Sequence, residues 1–132
     1  MMNMNVLSDE ILDFLKTKHT RVYRNKAPKD VVFPYVLFMV ESVTNTMPSE
    51  DLYLNVDVYE DVNNSVRDIE DLADFIDGDS NPLNPNGLNQ KIINTDTFNL
   101  YFNREARQYV NSEELIGTHL INLRYVVRAY FK

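Results

Sequence analysis

The clearest pattern along the chain is a strict alternation. Leu52, Leu54, Val56 and Val58 take one parity, and Tyr53, Asn55, Asp57 and Tyr59 take the other. Successive side chains of a strand point to opposite faces, so this spacing predicts a half-buried strand over Leu52–Tyr59. Immediately afterwards the period changes. Val62, Val66, Ile69, Leu72, Ala73 and Ile76 recur at intervals of three and four, with Asn64 or Ser65 as cap and Gly78 just past the end. That is an amphipathic helix over about 64–77. A first helix is expected at about 8–18: Ser8 is the N-cap, Asp9 and Glu10 occupy the first turn, and Ile11, Leu12, Phe14 and Leu15 form the apolar face.

Between these segments the signals are shorter. Arg21-Val22-Tyr23 reads as an extended piece, and Asn25 to Lys29, with Pro28, as a turn. Val31 to Val43 is β-branched and aromatic, which predicts a strand buried on both faces, with Pro34 at its start or on an edge. Asn45 to Glu50 is a turn. Ile92–Phe102 and His119–Phe131 have strand composition, the latter alternating Leu123, Tyr125, Val127, Ala129 and Phe131 against Arg124, Arg128 and Tyr130. The segments Asp79–Gln90 and Asn103–Gly117 are polar, and are expected to be loops that become ordered only on assembly. The expected fold is therefore one α+β domain over residues 1–132. It is a mostly antiparallel sheet of four to five strands with two helices packed on it, in the order α-β-β-β-α-β-β.

Composition narrows the chemistry. There is no cysteine and there are only two histidines, His19 and His119, which excludes thiol nucleophiles, disulfides and Cys-based or His-rich metal sites. Only three glycines are present, so the Gly-rich phosphate loops of nucleotide enzymes are excluded as well. Asp77-Gly78-Asp79-Ser80-Asn81 opens like a calcium loop but fails at Pro82 and Leu88, where Gly and the bidentate Glu are needed. No apolar run approaches the ~20 residues of a membrane span, and Met1–Val6 lacks the features of a secretory signal. No cofactor, metal or catalytic group is expected.

Charge changes the picture most. Residues 41–80 hold twelve acids against one base, Arg67, whereas each flank is mildly basic within a chain of net charge −7. Direct nucleic-acid binding is therefore not expected. Asp68, Asp71 and Asp74 share a helix face, with Glu70 beside them; such acids are either simply solvated or face a basic partner. Arg124 and Arg128 share a strand face, and Arg104 and Arg107 stand in the polar segment before it. These seven Asp and Arg residues are the candidates for a subunit or partner interface, with acids of one copy facing arginines of the next or of another protein.

The succession Arg21-Val22-Tyr23, Ala27-Pro28-Lys29, Val32-Phe33-Pro34-Tyr35-Val36, Leu54-Asn55-Val56-Asp57-Val58-Tyr59 and the helix Ile69–Ile76 resembles the tail terminator (tail completion, minor capsid) family of long-tailed bacteriophages. The resemblance runs from Ile11 to Phe131. It implies a non-enzymatic virion protein, made in the bacterial cytoplasm, that closes the tail tube as a ring, usually a hexamer. Its partners would be its own copies, the tail tube protein and the head connector or stopper protein. Two other readings stay open: a head completion or connector protein, and an acidic inhibitor that mimics DNA. An enzyme holding magnesium on the acidic helix ranks below both, since the base or nucleophile it would need is missing.

Overall fold

The computed structural model describes residues 4–46, 49–79, 86–110 and 117–132. Its elements are α1 (Met4–Lys16), β1 (Val22–Arg24), β2 (Tyr35–Thr46), β3 (Ser49–Asp61), α2 (Val66–Asp77), β4 (Ile92–Asn94), β5 (Phe98–Val110) and β6 (Thr118–Phe131). They form an α+β fold with one mixed six-stranded sheet in the order β1-β2-β3-β6-β5-β4. Every neighbouring pair is antiparallel except β1 and β2, which run parallel.

Among the described residues, the helices cover one face of the sheet. Leu52, Leu54, Val56 and Val58 of β3, with Leu123, Tyr125, Val127 and Ala129 of β6, meet the stripes Leu7, Ile11 and Leu15 of α1 and Ile69, Ala73 and Ile76 of α2. Phe38, Leu100 and Phe102 fill the flanks of this core. The alternating stretch of β3 thus behaves as its period requires, every second residue being buried. α2 also follows its signals: the Ser65 hydroxyl accepts from the Arg67 N–H, and Gly78, at φ +86°, closes the helix by donating to the Asp74 carbonyl.

Several expectations are corrected. The strand count is six instead of four to five, because the single strand expected over Ile92–Phe102 is two: Thr95 turns the chain, its N–H donating to the Phe98 carbonyl while its hydroxyl accepts from the Phe98 N–H. β2 starts at Tyr35, directly after Pro34, and is buried on one face, with Met39 exposed on the other. α1 begins four residues before the expected cap. Ser8 is buried inside it, with a hydroxyl that finds no partner among the described residues, because the apolar spacing of Leu7, Ile11 and Leu15 carries the helix through it.

The largest correction concerns the polar segment expected as a loop from Asn103 to Gly117. β5 runs on to Val110, paired residue by residue with Leu120–Arg124 of β6 beyond a bulge between Arg104 and Ala106. Period two fails to announce it because Glu105 to Tyr109 are exposed at the end of the sheet that the helices leave bare. The Asp79–Gln90 segment is anchored at its far end, where Leu88 is fully buried and Gln90 bonds to Phe102. The expectation of looseness at 80–85 and 111–116 lies outside the described residues.

The face assignment has a direct test. Leu54→Asp should cost at least about 3 kcal/mol, the loss of a fully buried leucine before any charge is counted, whereas Asn55→Asp on the opposite face should stay within about 0.5 kcal/mol. Chemical denaturation of the two variants decides it; a larger loss in Asn55→Asp than in Leu54→Asp would mean that the faces are inverted.

Candidate interaction surface

Two surfaces compete for attention: the helix layer and the uncovered face of the sheet. On the helix side, α2 ends in two acids, Asp74 and Asp77, with no basic residue in its last turn. Carboxylates there oppose the negative end of the helix dipole, so they need cationic partners. β5 supplies both. Arg104 donates to Asp77 Oδ2 at 2.6 Å, and Arg107 forms an ion pair with Asp74. The other oxygen of Asp77 accepts from the Tyr125 hydroxyl at 2.7 Å, and only 3% of Asp77 is exposed. Burial, then the adjacent carboxylate, pushes the Tyr125 phenol well above its ordinary value, so it stays protonated and serves as a donor.

The backbone completes this node. The Asn89 N–H donates to the Asp77 carbonyl, and Asn89 Oδ1 accepts from the Arg104 N–H at 2.9 Å. A Cβ placed on Gly87 would lie 2.3 Å from the Gly78 nitrogen, and one on Gly78 would lie 2.5 Å from the Gly87 nitrogen. Only glycine at both positions lets the two backbones touch. Asp77, the first residue of the calcium-like run, is therefore a structural anchor.

The remaining acids of α2 behave differently. Asp68, Glu70 and Asp71 lie on its exposed face, and the ion pairs among the described residues do not include them. Next to them, a depression of about 620 Å³ at the end of α2 is lined by Lys18, Asp71, Asp74, Phe75 and Asn86. Lys18 sits 4.4 Å over the Phe75 ring and donates to the Asn86 carbonyl.

The uncovered sheet face carries Tyr35, Leu37, Met39, Tyr53, Asp57, Tyr59, Tyr101, Val126 and the two arginines of β6. Tyr35 and Tyr59 stack at 4.7 Å, while Tyr101 and Tyr130 meet edge to face at 5.5 Å above a depression of about 450 Å³ that Arg128 also lines. Arg128 grips Asp51 with two bonds, of 2.8 and 3.1 Å, and these hold the Asp51 carboxyl below its ordinary value. Arg124 stacks over Tyr53, its guanidinium carbon 3.9 Å from the ring centre, and approaches Glu105 at 3.3 Å without hydrogen-bond alignment. Asp57 accepts from Asn122 at 2.6 Å; burial raises its pKa, an effect the Asn122 bond partly offsets. The Tyr59 phenol is pushed up to about 12 by burial, by the Asp57 charge and by Tyr35.

The candidate interface residues thus fall on two opposite faces. Asp68, Asp71, Asp74, Arg104 and Arg107 belong to the helix side, Arg124 and Arg128 to the sheet side, and all four arginines meet carboxylates of their own chain. The Arg104–Asp77–Tyr125 node escapes sequence reading, although an aspartate in the last turn of a helix is a signal for a cationic neighbour. His19, which bonds to the Pro34 carbonyl, and His119, whose Nδ1 lies 2.6 Å from the Tyr109 hydroxyl, stand apart from each other in separate local contacts.

The chain matches no protein-family model, and no curated protein matches it.

Two measurements probe these networks. Tyr125→Phe deletes a hydrogen bond to a buried carboxylate and should lower stability by about 1.5–3 kcal/mol in a denaturant titration, with the fold retained. Asp57 has a folded-state pKa raised above its unfolded value, so the stability it contributes is full below about pH 3.8 and is lost as pH rises through the folded value. Asp57→Asn keeps the acceptor for Asn122 without the charge. Its stability relative to the parent should therefore rise from pH 3.5 towards neutrality and then level off; a gap independent of pH would disprove the assignment.

Proposed function

We propose that this protein is a structural subunit of a bacteriophage tail: a tail terminator that assembles as a ring, six copies being the expected number, on the end of the tail tube and joins it to the head connector. The sheet carries this reading. Its helices cover one face, the other face is left open with its tyrosines, and the elements follow the order α-β-β-β-α-β-β with one short strand added. A subunit of this kind offers two chemically distinct sides to two neighbours. The protein acts by binding, without catalysis or cofactor, and its place is the neck of the virion.

In this reading the exposed acids of α2 meet a basic surface of the tube or connector, for which Asp68 and Asp71 are better placed than Asp74, already paired with Arg107. Arg124 and Arg128 act on the other side, by exchanging an intrachain carboxylate for one of a partner. Exposed pairs of this sort contribute only about 0.2–1 kcal/mol each and are screened within about 8 Å at physiological salt, so they fix register more than affinity.

Electron microscopy of the purified protein, alone and with tail tubes, tests the proposal: rings or capped tube ends are expected. Asp68→Lys combined with Asp71→Lys should leave the fold intact and weaken capping, with a weaker dependence on salt. Bare tube ends would overturn the proposal; rings located at the capsid portal would favour a head completion role, and salt-sensitive binding of a DNA-binding enzyme by a monomer or dimer would favour the DNA mimic.

A further inference from the structure

Both edges of the sheet are half covered, and the uncovered halves are diagonal to each other. At one edge β1 pairs only with Val36–Phe38, so β2 from Met39 to Thr46 has no outer neighbour among the described residues. At the other edge β4 pairs only with Asn99–Tyr101, and the chain before it bonds to Phe102 and Arg104, so β5 from Glu105 to Val110 also has no outer neighbour among the described residues. The register across the sheet places these gaps at different heights. Ala106–Val110 stands level, through Leu120–Arg124 and Asn55–Tyr59, with Tyr35–Met39, which is the stretch that β1 covers. Conversely, β4 stands level with Thr44–Thr46.

We infer that copies of this chain join edge to edge, the open half of β5 in one copy pairing with the open half of β2 in the next, so that a single sheet continues from subunit to subunit. The shape of the edges argues for a second copy as the occupant. β2 and β5 run in opposite directions within the sheet, so a neighbour set beside β5 in the same orientation presents its β2 antiparallel, the more stable pairing. Sliding that neighbour by about four to six residues, about 13–20 Å along the strands, brings the two open halves together. The same slide carries β1 of one copy and β4 of the other clear of the joint. A stagger repeated at each joint is what a closed, tilted ring of strands requires.

The edges also lack the usual protection at this point. Met39–Ser42 contains one charge, Glu41, and neither proline nor lysine, and Ala106–Val110 contains only Arg107. The bulges, at Ser42/Thr44 and Arg104/Ala106, flank these two runs without interrupting them. Four to five residues on each side are thereby available for main-chain bonds. This joint rests on the ring proposed above and specifies how its neighbours meet.

The chain has no cysteine, so introduced thiols report the joint cleanly. Glu41, Gln108 and Val110 are on the same sheet face, since they pair with Tyr53, with Asn122 and, through Leu120, with Tyr59 of that face. Glu41→Cys with Gln108→Cys, and Glu41→Cys with Val110→Cys, cover the registers that slides of about four and six residues give, where paired Cβ atoms stand about 4.5–5.5 Å apart. With a short thiol cross-linker, under conditions where microscopy shows rings, one double variant should give a ladder of covalent oligomers ending at the ring size. The three single variants should stay monomeric on a denaturing gel. In the cysteine-free protein, amide exchange should slow on assembly at 39–42 and 106–110 and stay unchanged in α2. Dimers from a single variant would show a two-fold contact and overturn the inference. Rings without a ladder and without edge protection would overturn it while leaving the tail reading intact; absence of rings, with tube ends also bare, would overturn both.

Discussion

The carboxylate of Asp77 is the point on which the architecture turns. Removing a carboxylate from water costs several kcal/mol unless strong donors replace the lost hydration, and here two donors from two strands meet it: the Tyr125 hydroxyl from β6 and the Arg104 guanidinium from β5. That requirement fixes the end of α2 over the middle of the sheet. It also draws Arg104 to the helix side of β5, one step before the bulge that redirects the strand. The end of α2, the return of the chain through Asn89 and the strand β5 at Arg104 thus all meet at one buried aspartate.

The excess of acid in the middle of the chain looks different once the partners are known. Glu50 accepts from Ser42, Glu60 accepts from the Asp61 N–H and Asn64, Asp77 holds its two donors, and Asp51 and Asp74 are paired with arginines. Much of the negative charge is therefore spent inside the fold, and the part facing solvent is concentrated on α2. On the sheet face, by contrast, Arg124 and Arg128 meet Glu105 and Asp51, with tyrosine rings between the pairs. Two layers of opposite character come from one sequence because a strand separates its residues by parity and a helix by thirds.

What was readable in the sequence follows the strength of burial. β3 and β6 have one dry and one wet face, so period two is written plainly in them, and α2 carries both a stripe and two caps. β5 was readable only to Phe102, since beyond that point neither face is dry and its arginines answer to a distant helix. Ser8 misleads for a related reason: its type suits a cap, but the stripe begins at Leu7, and three buried apolar residues outweigh one unsatisfied hydroxyl. The interface candidates rest on charge alone, and no local pattern reveals that an arginine already has a carboxylate of its own chain opposite it.

The contact between Gly78 and Gly87 brings the two ends of the intervening segment together at one point on the surface. The chain leaves α2 at Gly78 and lies beside it again at Gly87, from which Leu88 enters the core. The end of α2 and the entry of Leu88 into the core are thereby one point, so a side chain gained at either glycine would displace helix end and core residue together.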